Sequence, residues 1–251
     1  MATVTPAAGT RRRSGWPGAD AAGAGVRVIS HPSPNEGERR AGARPSLVVL
    51  HYTAMQSADE ALARLCAPEF EVSAHYLIAE DGHIFAMVDE DRRAWHAGAG
   101  AWGAVTDVNS ASIGIELANP GNAPFAAALM DALEALLADI LARHRLPPQA
   151  VIAHSDCAPG RKIDPGRRFD WQRLARAGLS VWPAPAAAAR DHFARDLRRF
   201  GYTADAPPEA ILAAFRLRFR PGAEGPVTDA DRAIAADLAR RFPVDRGAAL
   251  A

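Results

Sequence analysis

Two short apolar runs end on histidine: Leu47-Val48-Val49-Leu50 leads into His51, and Ala150-Val151-Ile152-Ala153 leads into His154. An unbroken apolar run of this length reads as a buried strand, and the first of the two follows Pro45. His75 to Ala79 and His83 to Val88 flank Asp81-Gly82 as a hairpin, and Ser112 to Leu117 (SIGIEL) is a further strand. Between SIGIEL and the second run, Phe125, Leu129, Leu133, Leu136, Leu137, Ile140 and Leu141 recur at helical spacing. Asn122 is the expected cap of that helix and Pro147-Pro148 its stop. Strands interleaved with a long helix imply an α/β domain, a mixed β-sheet flanked by helices.

Pro183 to Ala189 (PAPAAAA) reads as a linker. Beyond it Phe193, Leu197 and Phe200 mark one amphipathic segment, Ile211, Leu212, Phe215 and Phe219 a second, and Ala233, Ile234 and Leu238 a third. Thr228 and Asp229 fall where the third would be capped. The expected organisation is a tail over 1–25, the α/β domain over 26–182, the linker over 183–189 and a small C-terminal three-helix domain over 190–243.

Lys plus Arg and Asp plus Glu are equal at 29 each, a balance that speaks against nucleic acid as a partner. No apolar run approaches the roughly 20 residues of a membrane span. Cys66 and Cys157 cannot build a disulfide scaffold, so stability must come from packing or metal. Arg11-Arg12-Arg13 is followed by SGWPGADAAGAG, too poor in large apolar residues for an export signal. A cytoplasmic monomer is expected, with a periplasmic or cell-wall location as the alternative.

His51 and His154 stand at strand ends, where side chains reach the rim of a sheet and sites tend to form. Asp164 follows His154 within HSDCAPGRKIDPG, whose prolines and glycines make a compact loop able to bring the two together. Two imidazoles and one carboxylate leave the fourth position of a tetrahedral zinc open, as in catalytic sites. Each histidine taken alone could equally be a satisfied rim residue. Lys162 lies two residues before Asp164, and a cation there suits a developing oxyanion. Glu116 sits between apolar neighbours in SIGIEL, where a carboxylate needs a partner: either a proton to take beside a metal, or an arginine in an ion pair.

Together LHYT, SAHYLI, AWHAG, SIGIEL and HSDCAPGRKIDPG resemble the zinc-dependent N-acetylmuramoyl-L-alanine amidases of the type-2 family, which share their fold with peptidoglycan recognition proteins. The resemblance runs from about Val28 to about Trp182, with the motifs in the family's order. It implies that His51, His154 and Asp164 hold Zn2+, that Glu116 is the general base and that Lys162 stabilises the tetrahedral intermediate. The phage branch carries a catalytic tyrosine where this chain has Ala74, which leaves that role to Glu116. Cys157 is not at a ligand position of the family.

Trp95, His96 and Gly98 (WHAG) are expected to line a groove for a sugar or peptide stem. His75 joins them as a substrate-side residue that holds its neighbours by hydrogen bonds. The implied reaction is hydrolysis of the amide between the lactyl group of N-acetylmuramic acid and L-alanine, in peptidoglycan or in (anhydro)muropeptides. A non-catalytic peptidoglycan-sensing module on the same fold is the alternative, and the presence of all five metal and catalytic residues favours the enzyme. The three C-terminal segments resemble the peptidoglycan-binding-like module of bacterial lipoprotein amidases, with a packing cap as the alternative.

Overall fold

The computed structural model describes residues 28–184 and 192–244. The expected tail and most of the expected linker lie outside the described residues. In chain order the strands are β1 (Val28–Ser30), β2 (Glu36–Glu38), β3 (Leu47–Tyr52), β4 (Tyr76–Ile78), β5 (Ile84–Ala86), β6 (Arg92–Ala94), β7 (Ser112–Leu117) and β8 (Val151–Ala153). The helices are α1 (Ala58–Cys66), α2 (Val108–Ala111), α3 (Ala127–His144), α4 (His154–Cys157), α5 (Trp171–Arg176), α6 (Phe193–Phe200), α7 (Pro208–Phe219) and α8 (Asp229–Arg241).

Six strands form one mixed sheet in the order β1-β5-β4-β7-β3-β8, and β2 pairs with β6 in a small separate ribbon. Only β4 and β5, the expected hairpin, are antiparallel within the main sheet. β3 lies between two parallel neighbours, which is why its apolar run is continuous rather than alternating. Val48 and Leu50 face one side, where Leu62 and Leu65 of α1 and the Leu129–Leu141 stripe of α3 complete a core. Leu47, Val49 and Ile152 face the other side, against Leu197, Phe200, Tyr202, Phe215, Phe219 and Leu238.

That second core sets the C-terminal helices against the sheet. α6, α7 and α8 form where the apolar periodicity placed them, and Thr228 caps α8 by accepting from the Asp231 N–H. Their apolar faces are spent on the sheet, so they complete its covering layer. α3 also differs at its ends. Asn122 is not its cap: Ala126 occupies that position and offers no side-chain acceptor. The helix stops before the prolines, where Arg145 turns left-handed (φ 54°).

Candidate active site

Parallel pairing of β3 and β7 sets His51 opposite Glu116. Both side chains therefore leave the same face of the sheet, the face that α6–α8 cover further along the strands. His154 is not the last residue of its strand as the sequence predicts. β8 ends at Ala153, and His154 opens the one-turn helix α4. The loop beyond α4 then returns Asp164, whose carbonyl accepts the Ser155 N–H at 3.0 Å.

These placements bring three donor atoms together. His51 Nδ1 and His154 Nδ1 are 3.0 Å apart and lie 2.9 and 3.0 Å, respectively, from Asp164 Oδ2. The surroundings fix which ring nitrogens carry protons. His154 Nε2 faces the Ala97 carbonyl at 2.9 Å, which can only accept, so Nε2 holds the proton. On the other side, Ser112 Oγ donates to the Val108 carbonyl (2.5 Å) and must accept from His96 Nε2 (3.2 Å). His96 Nδ1 is then bare and accepts from His51 Nε2 at 3.0 Å.

In the neutral rings both Nδ1 atoms consequently present lone pairs, to each other and to a carboxylate oxygen. Burial, with the His154 ring beside it, pushes His51 down to about 4, so its ring is neutral at pH 7. Burial and the His51 ring hold His96 well below the usual imidazole range. Three lone-pair donors at these distances repel one another unless a cation lies among them. The cluster fits a metal ion, and neutral imidazole plus carboxylate is a donor set that zinc accepts.

Residues 41–167 match the N-acetylmuramoyl-L-alanine amidase family. The chain is 37% identical over 239 residues to the N-acetylmuramoyl-L-alanine amidase AmiD of Escherichia coli, covering 80% of this chain and 85% of that one. The chain belongs to this amidase family. It is also 31% identical over 160 residues to the 1,6-anhydro-N-acetylmuramyl-L-alanine amidase AmpD of Enterobacter cloacae, covering 57% of this chain and 86% of that one. Among solved structures, E. coli AmiD in complex with anhydro-N-acetylmuramic acid-L-Ala-D-gamma-Glu-L-Lys aligns with a TM-score of 0.72 at 35% identity, over 81% of this chain and 92% of that one. AmpDh3 of Pseudomonas aeruginosa, in complex with an anhydromuramic pentapeptide, aligns with a TM-score of 0.71 at 30% identity, over 81% and 94%.

The cluster opens into a groove of about 540 Å³ whose lining includes the three donor residues, Glu116, Lys162, Trp95 and Arg64 of α1. Glu116 Oε2 is buried with no hydrogen-bond partner, and Glu116 makes no ion pair among the described residues. The alternative of a structural pair with arginine therefore fails. Burial first, and then Asp164 nearby, push the Glu116 carboxyl up to about 8, against the pull of Lys162. Lys162 is exposed at the mouth of the groove.

Cys157 is buried and its thiol donates to the His154 carbonyl at 3.4 Å. Burial raises that thiol, so it is no source of thiolate.

Trp95 and His96 line the groove as expected, but His75 does not. It is fully buried behind them, with Nδ1 accepting from the Gly114 N–H (2.9 Å) and Nε2 between Arg39 and the Arg92 carbonyl. The sequence reading also missed Arg161, which donates to the Ala97 carbonyl (2.6 Å) and to the Ala99 carbonyl, fixing the loop that orients His154. Its position beside Lys162 in the same motif was the available signal.

Proposed function

We propose that this amidase hydrolyses the bond between the lactyl carbonyl of N-acetylmuramic acid and L-alanine in muropeptides of the anhydro type, using zinc held by His51, His154 and Asp164. The observation that carries the reading is the convergence of three bare donors beside a carboxylate without a partner, in one groove. Zinc, when bound, supplies Lewis acidity and brings the pKa of a coordinated water toward about 7. The chain's own residues supply the rest. Glu116 takes the proton of the attacking water and passes it to the leaving amine of L-alanine, and its burial favours that exchange by keeping the pKa close to neutral. Lys162 faces the negative charge that develops on the carbonyl oxygen. Trp95 offers an apolar face to the sugar or stem.

The anhydromuramyl peptides held by the similar AmiD and AmpDh3 structures support the anhydromuropeptide choice. Among the described residues no helix is long and apolar enough to cross a membrane. Incubation with an anhydromuramyl tripeptide should release the free peptide, as read by mass spectrometry. Chelation should abolish the release and zinc should restore it. A zinc-loaded protein that binds the tripeptide without cleaving it would favour the sensing module.

A further inference from the structure

The covering helices reach the turn that carries His154. Asp156, two residues further along α4, is fully buried, and its Oδ2 accepts the N–H of Ala153 at 2.9 Å, folding back on the residue just before the ligand. Two side chains from the C-terminal unit meet this carboxylate. Tyr202 donates its hydroxyl to Oδ1 at 2.5 Å, and Arg218 of α7 donates Nη1 to Oδ2 at 2.6 Å. Arg218 Nη2 donates to the Val151 carbonyl and to Ser180 Oγ, both at 3.1 Å, and the guanidinium lies 4.1 Å from the Trp171 ring centroid. One buried cation thus ties α7 to β8, α4 and α5.

Both side chains of the Arg218–Asp156 pair are wholly shielded from water. Desolvating two charges is expensive, and an apolar contact would serve adhesion of the helices as well. What the pair adds is direction: it fixes one orientation of α4. Through the Ser155 N–H on the Asp164 carbonyl, that orientation also bears on the third ligand.

We propose that Arg218 and Tyr202 are positioning residues of the metal site, holding the His154 turn through Asp156 at the spacing the ion requires. The inference rests on the zinc reading above and gives the C-terminal unit a part in the catalytic scaffold. Outer partners of ligands typically change metal affinity by about 10- to 100-fold.

The test uses the full chain, with zinc affinity measured by competition against a chromophoric chelator. The visible spectrum of the Co2+-substituted protein, hydrogen exchange over 154–157 and the melting temperature are recorded beside it. Tyr202→Phe and Arg218→Lys should bind zinc about 10- to 100-fold more weakly, shift the Co2+ bands and exchange faster over 154–157. Arg218→Met should exceed Arg218→Lys in each respect; if it does not fold, the two milder variants decide. The control is Arg216→Met, which breaks the buried Arg216–Asp231 pair (2.6 Å) inside the helical unit. It should lower the melting temperature and leave zinc affinity and spectrum unchanged.

Parent-like zinc affinity and spectra in Tyr202→Phe and Arg218→Lys would overturn the proposal, as would an equal loss in Arg216→Met. A parent protein that takes up no zinc would refute the metal reading instead. The exchange over 154–157 would then decide alone, and no local acceleration relative to Arg216→Met would overturn the positioning role.

Discussion

Glu116 and Lys162 share the groove with His51, His154 and Asp164, and under the proposed mechanism this separates what their loss should do from what the loss of a ligand should do. Glu116→Gln is expected to lower kcat by about 10²- to 10⁴-fold, the usual contribution of a general base. Lys162→Met should lower it by about 10²- to 10³-fold. Zinc content by atomic absorption should stay near one per chain in both. Asp164→Ala should lose most of the metal, whereas Cys157→Ser should keep it, because the thiol is turned to the His154 carbonyl. Zinc loss from Cys157→Ser with retention in Asp164→Ala would reverse the ligand assignment. The five residues proposed for metal binding and catalysis could be picked out in the sequence because each stands in a short motif with its chemical neighbours. His96 was legible only as groove lining. Its link to His51 joins residues 45 apart in the chain, and no local pattern announces that Ser112 and Val108 fix its protons.

At the scale of elements, β7 shows how a strand accommodates a site. A Cβ on Gly114 would lie 2.5 Å from His96 Cγ, so the imidazole packs where only glycine leaves room. Gly114→Ala should cost about 1–3 kcal/mol by overpacking and weaken zinc binding as the ring is displaced. Melting and chelator competition measure the two effects. The end of α3 is fixed differently: Glu90 accepts from Tyr76, from Arg143 through both its oxygens, and faces His144 at 2.6 Å. Burial alone would raise this carboxyl, but the Arg143, His144 and Tyr76 hydrogen bonds outweigh it and hold the group well below the usual range. Such a depressed carboxyl contributes stability above its unfolded value of about 4.3, and the contribution is lost as pH falls toward the folded value. Glu90→Gln should therefore cost about 3 kcal/mol at pH 7. The gap to the parent, followed by urea unfolding, should narrow below about pH 4; a gap that does not depend on pH would remove the carboxylate from the explanation.

Periodicity found α3 and the three C-terminal helices but overlooked α1, although Ser57 and Glu60 carry its start signal: Ser57 accepts from the Glu60 N–H and Glu60 from the Gln56 N–H. The misplaced cap of α3 has a local cause. Polar residues before it serve the turn, with Asn119 Oδ1 accepting the Gly121 N–H, so an asparagine there is no evidence of a helix start.

For the whole molecule, an apolar stripe on a helix states that something covers it and is silent about what. That is why the C-terminal segments read as a separate domain while the structure sets them against Leu47, Val49, Trp102 and Ile152. A fragment ending at Trp182 would expose this face and strip Asp156 of Tyr202 and Arg218. It is expected to be insoluble, or to melt more than about 10 °C below the parent, the equivalent of several kcal/mol at about 2–4 °C for each. Cleavage of soluble muropeptide and retention on insoluble peptidoglycan should fall together. A fragment that melts like the parent and loses only retention would restore the idea of a tethered wall-binding module.

Asp156 and Arg218 stand 62 residues apart in the chain. A ribosome makes His51, Glu116, His154, Lys162 and Asp164 before it makes α7. For that interval the nascent chain holds every residue proposed for the chemistry but lacks the proposed buttress behind the His154 turn, and on this reading competence arrives with the last helices.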